Sequence, residues 1–285
     1  MKNFPIRELE FISGVKAHTL RVWEQRYGFL QPQRSETNNR SYDLNEVEKL
    51  LHVAILNKNG YKISKLSKLT AFETEEKIVK LKDDVSGQEL AVAQLLLAMY
   101  SMNFESFETI LERSFCTWET YVVVNNIIYP FLVKTKLLWE GNGLIEEHII
   151  VSIVRKKLMW AIENIPFVKS EKKVILFLFG TKLLDLALLY KNFLLKYSGA
   201  QVINLGNDIS VSNLVSITQK IKPLLFYTYL QKKNNHQLDD FSNWLLENFP
   251  HAKLVITTPD TFSFKHPYKN VIQVRRENLS SLISI

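Results

Sequence analysis

Between Ser13 and Tyr42 the chain gathers side chains suited to holding a polyanion. Lys16, His18, Thr19, Arg21, Gln25 and Arg26 crowd one short stretch, and Arg40 and Tyr42 follow after a polar interval. A guanidinium can bond a phosphate or a guanine edge bidentately, while Thr, Gln and Tyr can hold a phosphate oxygen or a base edge. At helical spacing His18, Arg21, Val22 and Gln25 share one face, whereas Leu20, Trp23 and Tyr27 share another that reads as core. The elements needed to present such a face are legible on either side. Ile6, Leu9 and Ile12 recur as a short helix, Gly14 breaks it, and a second helix starts at Lys16 and ends at Gly28, with Pro32 preventing its continuation. Two helices joined by a Gly-containing turn, the second loaded with cations, form the layout that places a helix in a DNA major groove. Gln31 to Tyr42 reads as a wing or hairpin, followed by helices from Asn45 to Lys58 and from Ile63 to Leu69.

Charge supports this reading. Residues 1–70 contain twelve Lys or Arg against seven acids, which places +5 of the chain's net +7 on about a quarter of its length. With 285 residues, 46% hydrophobic and 23% charged, the composition is that of a globular protein of more than one domain. No apolar run is long enough to span a membrane and the first residues lack a signal peptide's apolar stretch, so a cytoplasmic, nucleoid-associated bacterial protein is expected. The single Cys116 excludes an internal disulfide and a multi-cysteine zinc site, and reads as a small buried hydrophobe. His52, His236, His251 and His266 show no metal-ligand spacing, so no metal site is expected.

Beyond residue 72 the texture changes twice. Residues 73–90 are charged, contain Asp83-Asp84 and Ser86-Gly87, and read as a connector or hinge. Leu90 to Met102, Phe104 to Phe115, Tyr121 to Leu138 and Ile145 to Ile165 then read as four helices, hence a bundle over 91–168. From 169 to 285 short apolar runs alternate with helical patterns. Strands are expected at Val174 to Phe179, Gln201 to Leu205, Leu224 to Tyr229, Leu254 to Thr257 and Val271 to Val274. Helices are expected at Leu183 to Tyr197, Val211 to Ile221, Asp239 to Asn248 and Asn278 to Ile283. The fold class is therefore multi-domain α and α/β: an N-terminal winged helix-turn-helix over 1–72, a central four-helix bundle, and a C-terminal flavodoxin-like Rossmann domain with a five-stranded parallel sheet.

Ser13-Gly14-Val15, Thr19-Leu20-Arg21-Val22-Trp23-Glu24, Asn39-Arg40-Ser41-Tyr42 and the helix after them resemble the DNA-binding domain of the MerR family of bacterial transcription regulators. The resemblance implies that the second helix enters the major groove with His18 and Arg21, and that Arg40 and Tyr42 act from the wing. The remaining chain resembles the cobalamin-binding sensor region of MerR-type light-dependent repressors of carotenoid synthesis. By that likeness Trp139 with Glu147-His148 would face the cofactor's upper side, with a spacing about two residues shorter than usual. The likeness also implies an Asp-x-His-x-x-Gly turn after the first strand, its His ligating cobalt and its Gly admitting the nucleotide tail. Here Leu184 stands where that His would be and Ala187 where the Gly would be, and Thr257-Thr258-Pro259 replaces a small-residue pair after the fourth strand. Leu offers no lone pair and Ala adds a methyl group. His-ligated cobalamin binding is therefore not expected, and Glu147 and His148 read either as structural or as a vestigial cofactor face. Lys182, at a strand-to-helix turn, reads as an exposed lysine or as a phosphate or carboxylate ligand.

These readings point to a transcription regulator acting on promoter or operator double-stranded DNA as a homodimer or homotetramer, without turnover and without contact with a membrane. The C-terminal region would serve assembly or the sensing of another signal. Two alternatives remain at this point: an adaptor partnering a cobalamin-binding regulator paralogue, and a component of a cobalamin-dependent enzyme.

Overall fold

A computed structural model describes residues 3–34, 40–81, 84–137, 145–167, 169–179, 185–229, 235–258 and 270–275. The chain divides into two compact units, one of residues 1–137 with 141–153 and one of 138–140 with 154–285.

The first unit opens with β1 (Phe4–Pro5), α1 (Ile6–Ser13), α2 (Ala17–Tyr27), β2 (Gln33–Arg34) and β3 (Arg40–Tyr42). Gly14, at φ 76°, lets the α1 chain turn through the left-handed region, and its amide closes on the Glu10 carbonyl. The strands form a small antiparallel sheet in the order β1-β3-β2, so the hairpin expected from Gln31 to Tyr42 is joined by the N-terminal strand, Phe4 lying opposite Tyr42. α3 (Leu44–Lys58) starts where the Asp43 carboxylate accepts the Glu46 amide, and short α4 (Ile63–Leu66) follows. α5 (Ala71–Lys80) begins with a capping box made by Thr70 and Glu73.

The stretch expected as a connector is helical: it holds α5 and the start of α6 (Asp84–Tyr100). Gly87 lies inside α6, where a Cβ would meet the Trp118 ring at 3.1 Å. The same indole donates to Asp84 at 3.2 Å. Close packing, then, is what Gly87 permits there. α7 (Phe104–Thr117) is capped by Asn103. The single helix expected from Tyr121 to Leu138 is instead α8 (Thr120–Val122), a π-helical segment (Val123–Ile128) and α9 (Tyr129–Lys134). Pro130, which has no N–H, accounts for the break in register. Cys116, expected in the core, is exposed.

α10 (Ile145–Glu163) contributes residues to both units. In the second unit β4 (Lys173–Leu176), β5 (Gln201–Asn204), β6 (Leu225–Tyr229), β7 (Lys253–Thr258) and β8 (Val271–Arg275) form a parallel sheet in the order β5-β4-β6-β7-β8. That is the flavodoxin-like order, with α11 (Asp185–Tyr197), α12 (Val211–Ile221) and α13 (Asn235–Asn248) as crossovers. Phe177, Phe226, Leu254 and Ile256 meet Leu214 of α12 and Phe241 of α13 on one face. Alternation sends Leu176, Tyr227, Tyr229 and Thr257 to the other face, which α11 covers. Arg155 pairs with Asp185, and Lys196 donates to the Ile162 carbonyl at 3.1 Å, so both ends of α11 are tied to the α10 residues of this unit. The helix expected from Asn278 to Ile283 lies outside the described residues.

His52 of α3 is buried, and its Nδ1 has no partner among the described residues. Burial holds its pKa below the ordinary 6.5, against the opposing pull of Glu48 and Glu75. The folded state therefore keeps His52 neutral where the unfolded chain has begun to protonate. Stability from this group is complete above pH 6.5 and is lost as pH falls below it, with a slope of at most about 1.4 kcal/mol per pH unit. Urea unfolding between pH 7.5 and 5.5 should show that loss, and His52→Leu should flatten the slope.

Candidate nucleic-acid interface

α2 divides its faces sharply. Leu20 and Trp23 point into the core, Trp23 meeting Phe29 edge-to-face at 6.0 Å. His18, Arg21, Val22, Gln25 and Arg26 are exposed, and Thr19 is half-buried with its hydroxyl 3.3 Å from the His18 ring. Lys16 is exposed just before the helix and pairs with Glu10 at 3.5 Å. The structure thus brings six of the expected DNA-facing residues onto one helix and its N-terminal approach. Tyr27, expected in the core, is 38% exposed at the last residue of α2.

The wing residues behave differently. Tyr42, expected to offer its hydroxyl to DNA, is fully buried in β3. That hydroxyl donates to the Glu24 carboxylate at 3.3 Å, while the Arg40 Nε donates to both Glu24 oxygens at 3.2 and 3.1 Å. Burial first, and then the Glu24 charge, push the Tyr42 phenol up to about 12, so it remains a neutral donor. The correction has a simple cause: β3 is the central strand, so its inward residue is covered by both α2 and β1. Arg40 keeps a quarter of its side chain exposed while anchored to Glu24.

Glu24 is the residue that sequence reasoning passed over. An acid on an otherwise cationic helix was the available signal, since a carboxylate beside DNA is unfavourable unless it has an internal task. A second acid does parallel work at the wing's base. Buried Glu46 accepts the Gln31 amide at 2.8 Å and the Lys49 ammonium at 2.8 Å.

Trp139, Lys182 and Leu184 lie outside the described residues. Glu147 is buried in the first unit, near enough to Tyr100 to help Glu8 raise that phenol's pKa beyond what burial alone does. His148, its neighbour, is exposed. In the second unit Ala187 is fully buried and its carbonyl accepts the Tyr229 hydroxyl at 2.9 Å. Next to it Tyr227 bonds Thr257 at 2.5 Å, and Lys191 of α11 lies 4.9 Å from the Tyr227 ring centre. Burial draws the Lys191 pKa down to about 8. At the position where the resemblance has a glycine, Ala187 of α11 is thus buried with its carbonyl already engaged by Tyr229. Among the described residues no three His, Cys, Asp or Glu side chains gather as a metal site, and no helix is long and apolar enough to cross a membrane.

Fold and site together define a helix-turn-helix domain with a small antiparallel sheet at the start of the chain. Residues 4–73 match the MerR HTH family regulatory protein model. Over a longer span the chain is similar to the HTH-type transcriptional repressor CarH of Myxococcus xanthus, 23% identical over 224 residues that cover 74% of this chain and 73% of that protein. It is likewise similar to the repressor CarA of the same organism, again 23% identical over 224 residues, covering 76% and 73%. Among solved structures, the monomethylamine corrinoid protein of Methanosarcina barkeri aligns with a TM-score of 0.48 at 14% identity, over 66% of this chain and 94% of that one.

The Glu24 contacts separate a framework role from a DNA contact. Tyr42→Phe should lower stability in urea by about 1 kcal/mol and leave DNA affinity within about twofold. Glu24→Gln should cost about 2 kcal/mol, because it weakens two charge-assisted contacts at once.

Proposed function

We propose that the chain binds promoter DNA sequence-specifically through α2, as a homodimer or higher assembly acting at the bacterial nucleoid in the cytoplasm. The carrying observation is the exposed face of His18, Arg21, Gln25 and Arg26 on the second helix of a helix-turn-helix whose opposite face is core. Arg21 and His18 are positioned for base edges, and Lys16, Thr19, Arg26 and Arg40 for phosphates. One such unit spans few base pairs, so two copies on a two-fold site supply the specificity. Tyr42 drops out of the contact set and becomes part of the frame.

The second unit then serves assembly or responds to a signal other than His-ligated cobalamin, and the chain itself turns nothing over. Closure around Ala187 and Tyr229 supports this, together with Leu184 in place of a cobalt ligand. Glu147 and His148 are structural in this reading.

A gel shift against the chain's own upstream region should show binding that weakens steeply with salt. Arg21→Ala should weaken it about tenfold or more, corresponding to about 1–3 kcal/mol for a bidentate contact. Absence of promoter binding at low salt overturns the proposal. Incubation with adenosylcobalamin followed by desalting should leave a colourless protein, and a retained corrin spectrum would refute the closed-pocket reading.

A further inference from the structure

A cavity of about 590 Å³ lies within the first unit, between the end of α1, α3, α6 and the π-helical segment. Its volume falls in the range of small-molecule sites. Leu51, Ile55, Val92, Leu96 and Pro130 make most of its wall apolar. Polar groups enter the lining from α1, α3, α6, the π-helical segment and α9. Asn126 donates to Gln88 at 3.0 Å, Lys58 pairs with Glu89, and Lys134 of α9 donates to the Ile12 carbonyl. Glu89 is engaged by Lys58 and also lies within electrostatic reach of Lys134, whose ammonium is bonded to a carbonyl and not to a carboxylate. Desolvation lowers the Lys134 pKa, with Lys58 adding to the shift and Glu89 opposing it.

Two further features mark the cavity as more than imperfect packing. The π-helical segment runs along it, and π-helical turns inside helices concentrate at functional sites. Pro130 removes the amide that would close the helical turn on Asn126, so the irregular backbone and the amide-rich wall coincide.

We infer that this cavity is a binding site for a small organic anion, a carboxylate whose aliphatic or aromatic body lies against Leu51, Ile55, Val92 and Leu96 and whose charged group takes the Lys134 ammonium. The ammonium that would meet the ligand also satisfies one of the last carbonyls of α1, just before Gly14. An anion drawing Lys134 away would loosen the turn that sets the angle of α2. This coupling rests on the DNA-binding role of α2, whereas the binding itself does not.

The probes are decanoate and 1-naphthoate, with decanamide as the neutral comparison, titrated by calorimetry into the full chain below micellar concentration. At least one carboxylate should saturate a single site, about tenfold or more tighter than decanamide. Lys134→Met should abolish that preference, and Ala54→Phe, which fills the chamber, should abolish binding. In the wild type, deuterium exchange should slow at residues 125–134 on saturation and quicken at residues 12–15. No saturable binding by either carboxylate, equal binding of charged and neutral probes, or protection located elsewhere would overturn the site. The exchange map decides the matter even if Ala54→Phe does not fold. Loading should shift promoter affinity about fivefold or more, and an unchanged affinity overturns the coupling to α2. A chain that binds promoter DNA but neither carboxylate overturns the cavity proposal alone. One that binds a carboxylate but no DNA overturns the DNA-binding reading alone.

Discussion

The geometry of the reading domain depends on one carboxylate. Glu24, half-buried on the flank of α2, receives Arg40 and Tyr42 from the central strand of the small sheet. A partly buried carboxylate without donors is costly, so helix and strand are held in the one arrangement that satisfies it. The wing inherits its position from that contact, because Ser41 and Arg40 fix the register of β2 and Tyr42 fixes that of β1. Trp23 and Leu20 then close the core beneath, and Glu46 secures the wing's base.

The second unit follows the same logic with different groups. α11 is buried along most of its length, and polar contacts rather than solvent satisfy the polar atoms at its ends and on its sheet side. Asp185 meets Arg155, Lys196 meets a carbonyl, and the Ala187 carbonyl meets Tyr229. A helix bonded at each end and across its sheet face leaves little space between itself and β6.

Much of this was legible beforehand where periodicity and turn chemistry are strong. Gly14, Gly28 and the Leu20 and Trp23 spacing located the helix-turn-helix, and the alternation after residue 169 located all five parallel strands. What escaped was set by neighbours distant in sequence. Tyr42 resembles a surface donor until β1 and α2 cover it, and Glu24 resembles one more helix charge until Arg40 arrives sixteen residues later. Ser86-Gly87 looks like a hinge because composition cannot reveal that Trp118 lies against it. Pro130 was visible, yet its effect, a π-helical detour rather than a clean stop, depends on how the flanking turns find acceptors. The cavity left no trace in the sequence, since its walls come from five separate elements.

The two-faced character of α2 has an evolutionary consequence. His18, Arg21 and Gln25 are exposed, while Leu20 and Trp23 are buried in the core and Glu24 anchors the wing. Exchanging the outward set leaves packing, capping and the wing anchor intact. Under the proposed DNA-binding role of α2, a lineage of such proteins can drift from one operator to another through stable intermediates, with recognition changing while the scaffold that presents it does not.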